Sequence, residues 1–204
     1  VDERGRSPNY YDLEAVARGE DPAQWWARTY RYCQAHEPVR DQRVATGHSV
    51  RATYLYAAMV DIGRRTGDAG LLEATRALWE DLTTRQMYII GWLGTSDTLE
   101  GFTFAYDLPQ ETGYGETCAA IALAFFAQRL FELDPRGTYI DVLERAFYNN
   151  ILAGVSADGR QFFQCNPMTA YPHYSPYVRW NGILADEHYR RVDWIDCACC
   201  PTNL

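Results

Sequence analysis

Residues 119–133 (AAIALAFFAQRLFEL) constrain this chain more than any other stretch, because the run is apolar on nearly every side. A helix of that character is stable in water only as an inner helix, covered by other elements. Candidates for the cover lie on both sides of it. Residues 49–65 place Val50, Tyr54, Leu55, Ala58 and Ile62 at the spacing of one buried helix face, and Thr66-Gly67-Asp68 stops them with turn chemistry. Residues 71–87 repeat the pattern with Leu72, Leu78, Trp79 and Leu82. Asp134-Pro135-Arg136-Gly137 separates the inner run from a fourth helix over residues 139–152. Repeated helix–turn–helix pairs build bundles, solenoids or α/α toroids, so the expected class is all-α. With only these pairs present, the inner helix is expected to be left partly bare.

Between the pairs, residues 91–115 and 162–181 lose the helical rhythm. Irregular stretches of that length inside a compact domain are more often functional loops than connectors. Charge narrows the function. Nineteen basic residues against 27 acidic ones give a net charge of −8, whereas a nucleic-acid footprint needs a basic surplus. All 19 are arginine; without a lysine amine there is neither Schiff-base chemistry nor a Walker-type phosphate loop. No apolar run approaches the ~18 residues of a membrane span. Val1-Asp2-Glu3-Arg4 lacks the apolar core of a leader, so no membrane partner and a cytoplasmic location are expected. The absence of an initial Met and the stop directly after a cysteine cluster read as a piece of a longer protein.

Six cysteines are present, and their distribution says more than their number. Cys33 and Cys165 stand alone; Cys197, Cys199 and Cys200 form Cys-Ala-Cys-Cys-Pro; Cys118 lies in Gly115-Glu116-Thr117-Cys118. Disulfides and inert buried thiols are both open readings. Adjacent cysteines pair poorly with each other, however, and a domain of this size needs no staples. Three clustered thiols plus a distant fourth look more like metal ligands. Glu116 and Cys118 share a face only on extended backbone, since two helical steps separate side chains by roughly 200°. Pro201 pushes Cys200 toward an extended conformation for its own reason. Thiolates with one carboxylate suit Zn2+.

These residues stand in a longer series: Thr46-Gly47-His48-Ser49-Val50-Arg51-Ala52, then Tyr54-Leu55-Tyr56, Leu99-Glu100-Gly101-Phe102 and Tyr106-Asp107-Leu108-Pro109. Gly115-Glu116-Thr117-Cys118-Ala119, Val142-Leu143-Glu144-Arg145-Ala146 and Cys197-Ala198-Cys199-Cys200-Pro201 complete it. In that order the blocks resemble the catalytic domain of the β-L-arabinofuranosidases of glycoside hydrolase family 127. The resemblance implies an (α/α)6 toroid, of which residues 1–204 supply one part of a single catalytic domain. It implies Glu116, Cys118, Cys199 and Cys200 as zinc ligands, Cys199 also as nucleophile, and Glu100 as general acid/base. It further implies that His48 and Glu144 contact the sugar, and that the partner is an arabinosylated glycan.

A thiolate can stand in for the nucleophilic carboxylate of a retaining glycosidase if a metal keeps it deprotonated. Zn2+ with three thiolates and one carboxylate sums to 2 − 4 = −2, an excess expected to leave Cys199 electron-rich. Bland readings stand beside these. Taken alone, Glu100 is a solvated loop carboxylate, His48 a helix cap, Glu144 an exposed helix charge, and the metal purely structural. Trp92, Phe102, Phe104 and Tyr106 are either a sugar-stacking platform or core. A non-catalytic zinc-stabilised α/α domain, or a lyase or epimerase on the same toroid, are the rival functions. Phe162-Phe163-Gln164-Cys165-Asn166-Pro167 and Gly91-Trp92-Leu93-Gly94 depart from the family pattern at expected substrate walls.

Overall fold

The computed structural model describes residues 3–26, 29–95, 99–166, 168–169, 190–194 and 199–203; Cys197 lies outside them. Six α-helices lie among the described residues: α1 (Tyr10–Ala17), α2 (Ser49–Thr66), α3 (Ala69–Asp81), α4 (Thr117–Leu133), α5 (Gly137–Ala146) and α6 (Cys199–Asn203). Among the described residues there is no strand, only isolated antiparallel bridges. The all-α reading is therefore correct. Helix α4 lies between α2 and α5, and α2 also packs on α3.

The α2–α3 corner follows from its sequence. Gly67 closes α2 at φ +71°, a conformation glycine adopts without a Cβ penalty, and its N–H returns to the Gly63 carbonyl. Asp68 then caps α3 by accepting from the Leu71 N–H at 3.0 Å. Helices α3 and α5 end earlier than their apolar patterns suggest, each passing into a π-helical turn, Leu82–Gln86 after α3 and Phe147–Leu152 after α5. In the first, the Thr83 and Thr84 hydroxyls donate to the Trp79 and Glu80 carbonyls at 2.8 and 2.6 Å, the back-bonding that bends helices. In the second, the backbone at Gly91 comes so close to Ala146 that a Cβ there would lie 2.8 Å from its nitrogen.

Two expectations need correction. The buried face of α2 is Ala52, Thr53, Tyr56, Ala57, Met59, Val60 and Gly63, whereas Val50, Tyr54 and Leu55 are half-buried and Ala58 and Ile62 exposed. Because α2 is gripped by both α3 and α4, its buried face is wider than one apolar stripe, and small residues such as Ala52 and Gly63 join Tyr56, Met59 and Val60 in it. Nor is α4 left bare: Phe126 and Leu130 are fully buried, and Phe125, at 41% exposure, is its one exposed large apolar residue.

Gly115, just before α4, sets the tolerance of this core. Its φ is +51°, and a Cβ there would lie 2.4 Å from the Trp92 ring. Trp92 is fully buried and stacked on Tyr88, with 3.8 Å between ring centroids, so it has nowhere to move. Gly115→Ala is expected to destabilise the intact protein by about 3 kcal/mol, adding overpacking to left-handed strain. Chemical unfolding measures this, and wild-type stability would contradict the packing described.

Candidate functional site

Helices α2 and α4 start at one place, with His48 the residue before α2 and Glu116 the residue before α4. Their positive ends converge there, which favours anionic groups. Each start is stitched to one of the irregular stretches. On the α2 side, the Glu100 carbonyl accepts from the Ser49 N–H at 3.0 Å and the Ser49 hydroxyl at 2.9 Å. His48 bridges Gly101, and the Phe102 N–H donates to the Gly47 carbonyl at 2.9 Å. On the α4 side, Thr117 donates to the Gln164 carbonyl through its N–H and to the Phe163 carbonyl through its hydroxyl, both at 2.7 Å. Glu116 there bridges Cys165.

His48 and Glu100 meet between these seams. Nε2 of His48 lies 2.7 Å from Oε2 of Glu100, with side-chain exposures of 9% and 14%. Nδ1 of His48 accepts from the Val50 N–H at 3.2 Å. The Tyr32 ring lies edge-on to His48 at 5.5 Å, with the Arg51 guanidinium 4.9 Å above the Tyr32 centroid.

Glu116, Cys118, Cys199 and Cys200 form the second constellation, with one donor atom of each within 4.8 Å of every other. Cys118 Sγ is 3.3 Å from Cys200 Sγ, Cys199 Sγ is 3.8 Å from Cys200 Sγ, and Cys199 Sγ is 3.4 Å from Glu116 Oε1. No described cysteine is in a disulfide, and a spacing of 3.3 Å is far beyond an S–S bond of about 2.05 Å. The donor set fits a metal ion. Tetrahedral metal–sulfur bonds of about 2.3 Å put sulfurs about 3.8 Å apart. Glu116 Oε2 is buried with no hydrogen-bond partner among the described residues, which suits an oxygen placed to ligate a cation.

The electrostatics agree. Burial pushes the Glu116 carboxyl well above the carboxylate range, with the Cys199 and Glu100 charges adding to it. Hydrogen bonding to Cys199 and Cys200, then burial, push the Cys118 thiol up. At Cys200 the Cys118 hydrogen bond pulls down, but the Cys199 hydrogen bond, burial and Glu116 together carry the thiol up. A divalent ion held by these four groups would favour their deprotonated forms.

Cys200 is not extended, as Pro201 suggested, but sits in the first turn of α6 and is fully buried. Proline is tolerated there because first-turn N–H groups have no helical partner to lose. Helix α6 packs on α4, so the two thiols are held rather than trailing. Glu116 is extended at φ −64°, ψ 136°, while Cys118 is already helical, and the bend between them turns both donors inward. Glu144 is exposed on α5, in a shallow depression with Asp141, Arg145, Tyr148 and Asn149, and joins neither constellation. Trp92 and Phe102 are core; Phe104 and Tyr106 are exposed.

Asn203 and Tyr54 escaped sequence reasoning. Asn203 Nδ2 donates to the Cys199 carbonyl at 3.0 Å and to Cys118 Sγ at 3.5 Å, while its Oδ1 accepts from the Tyr54 hydroxyl at 3.0 Å. The signal was one helical turn of spacing from Cys199 and Cys200, readable only if α6 is a helix.

No helix among the described residues is long and apolar enough to cross a membrane. Residues 2–204 match the family model described as "Beta-L-arabinofuranosidase, GH127 catalytic domain". The chain is 40% identical, over its whole length, to a non-reducing end beta-L-arabinofuranosidase of Bifidobacterium longum subsp. longum, of which it covers 31%. A solved GH127 beta-L-arabinofuranosidase from Geobacillus stearothermophilus T6 superposes with a TM-score of 0.89 at 46% identity, over 99% of this chain and 31% of that one. A solved GH127 beta-arabinofuranosidase gives 0.76 at 38% identity, over 87% and 26%. The chain thus spans under a third of the length of these relatives.

Proposed function

The chain belongs to the family of GH127 beta-L-arabinofuranosidase catalytic domains, and from that membership we propose that the intact protein is a retaining glycoside hydrolase. Its substrates are arabinosylated glycans, from which it releases terminal β-L-arabinofuranosyl or closely related residues. The observation that carries this reading is the position of Glu116. Its carboxylate lies within 4.8 Å of the Cys118, Cys199 and Cys200 thiols and also within 4.8 Å of donor atoms on His48 and Glu100. A thiol cluster and a proton donor thereby flank one small site. Helix pairs α2–α3 and α4–α5 are two hairpins of the (α/α)6 toroid that this family membership brings with it.

Glu116, Cys118, Cys199 and Cys200 would hold Zn2+, the ion suited to thiolates with one carboxylate. When bound, zinc keeps the thiols deprotonated. Cys118 and Cys200 are buried while Cys199 is half-exposed, so Cys199 is the thiolate that reaches substrate. Its sulfur bonds to the anomeric carbon as the glycosidic C–O bond breaks, and Glu100 gives its proton to the departing oxygen. Glu100, now a carboxylate, then takes a proton from water. The water oxygen bonds to the anomeric carbon, the C–S bond breaks, and Cys199 leaves as the thiolate. Two displacements restore the starting anomeric configuration. His48 lines this site and Glu144 is the proposed sugar contact from α5.

Metal analysis tests the reading. The intact protein is expected to carry about one zinc per chain, and Cys118→Ser and Cys200→Ser to lose both metal and stability, since metal and fold are coupled. Less than about a tenth of an equivalent, with a disulfide in its place, would remove the metal from the account.

A further inference from the structure

Resting on the reading of Glu100 as the acid, we propose that Tyr32, Trp26 and Trp25 form a track that binds further sugar units on the leaving-group side of the substrate. These rings stand in file. The Tyr32 centroid is 5.5 Å from that of His48, whose Nε2 lies 2.7 Å from Oε2 of Glu100. Trp26 follows at 4.6 Å from Tyr32, Trp25 at 6.4 Å from Trp26, and Tyr11 is stacked on Trp25 at 5.0 Å. A general acid stands beside the oxygen it protonates. A file of rings that starts at Glu100 therefore starts on the leaving group's side, and each step along it is comparable to one sugar unit.

Local structure explains the file. Asp21 caps the Pro22–Gln24 turn by accepting from the Ala23 N–H at 2.9 Å, and Trp25 leaves that turn in an extended conformation. Extended backbone sends neighbouring side chains to opposite sides. Trp25 accordingly turns in, against Tyr11 and a tilted Tyr30 at 5.5 Å, and is half-buried. Trp26 turns out toward Tyr32 and remains 63% exposed. Tyr30 is held at φ +57°, and its hydroxyl donates to Asp12, which ties this segment to α1. From α2 the Arg51 guanidinium, 4.9 Å above the Tyr32 centroid, steadies that ring.

At Trp25 the file opens into a cleft of about 520 Å³, lined by Tyr11, Trp25, Arg18, Glu20, Asp21 and Gln24. That mixture suits a sugar, whose C–H faces lie on aromatic rings while its hydroxyl rim meets carboxylate, guanidinium and amide. A face suited to more protein would be apolar throughout, as Tyr10, Leu13 and Val16 are on the other side of α1. The substrate class that follows is a glycan with several units beyond the scissile bond, not a lone arabinoside.

The test uses the intact protein, methyl β-L-arabinofuranoside, and a series of lengthening oligosaccharides that end in the same β-L-arabinofuranosyl unit. Trp26→Ala is expected to lower kcat/KM on the longer members roughly 5- to 20-fold, the scale of a lost aromatic contact, chiefly through KM. On the methyl glycoside the loss should stay under about twofold. Zinc content and melting temperature should stay at wild-type values. Trp26→Phe, which keeps a ring, should recover much of the activity on the long substrates. Equal losses on every substrate, or no loss on any, would overturn the proposal. An early melt without a length-dependent loss would mark Trp26 as covered by protein and overturn it as well. A loss confined to arabinosylated peptides would assign the surface to peptide, again against the proposal. Glu100→Gln with full activity on the methyl glycoside would remove the acid reading, and with it the direction of the track, whatever length dependence Trp26→Ala shows.

Discussion

Cys199→Ser in the intact protein is expected to lower kcat on the order of 10⁴-fold or more, on aryl and alkyl β-L-arabinofuranosides alike. The expectation rests on how the three thiols differ. Cys118 and Cys200 are 1% and 0% exposed, so neither can meet a sugar, while Cys199 is half-exposed at the first position of α6. Serine keeps the size and the helix start but is too weakly acidic to present an alkoxide. Because the nucleophile acts before the leaving group has departed, a better leaving group offers no escape. Stability should fall less than in Cys118→Ser, whose sulfur touches Cys200 at 3.3 Å within the buried part of the cluster. Steady-state turnover on both substrates is the check. Retention of more than about a hundredth of the wild-type kcat would take Cys199 out of the nucleophile's role.

Glu100→Gln is expected to behave differently. On an alkyl glycoside kcat/KM should drop roughly 10²- to 10⁴-fold, the scale of general acid catalysis. On the 4-nitrophenyl glycoside the drop should be far smaller, because that leaving group needs little protonation. The amide has the shape of the carboxyl and can keep the contact with His48 Nε2, which lies 2.7 Å from Glu100 Oε2. The Glu100 carbonyl bonds to Ser49 are untouched, and the fold with them. Plotting log kcat/KM against leaving-group pKa should give a steeper slope for the variant. Identical slopes with full alkyl activity would mean that Glu100 is not the acid.

The contrast between these variants also marks what the sequence makes legible. Glu116, Cys118, Cys199 and Cys200 are readable because thiols are rare and their chemistry advertises itself. The His48–Glu100 pair is not, since neither residue type is unusual and nothing local links one to the other. They meet because Gly101 lets its backbone touch that of Gly47. The inner helix is legible from its all-round apolar character, and the α2 helix from its period. Which face of α2 is buried is not, because neighbours on two sides turn Ala52, Ala57 and Gly63 into core while Val50 and Leu55 flank it. The π-helical turn after α3 is hidden for a related reason. Thr83 and Thr84 sit where a helix could continue, and only their choice to donate to backbone carbonyls opens it. Helix α6 is masked by Pro201, which argues against helix at Cys200 unless the helix begins right there.

The claim that ties these parts together is a covalent bond between Cys199 and the sugar. In Glu100→Gln the second step lacks its base, so the aryl glycoside should load the protein faster than water can unload it. Acid quenching followed by peptide mass mapping reads the outcome directly. The account requires one pentosyl group, in thioether linkage, on the peptide that contains Cys199. A pentosyl ester on Glu116, an adduct on Cys118 or Cys200, or turnover with inverted anomeric configuration and no adduct would contradict it.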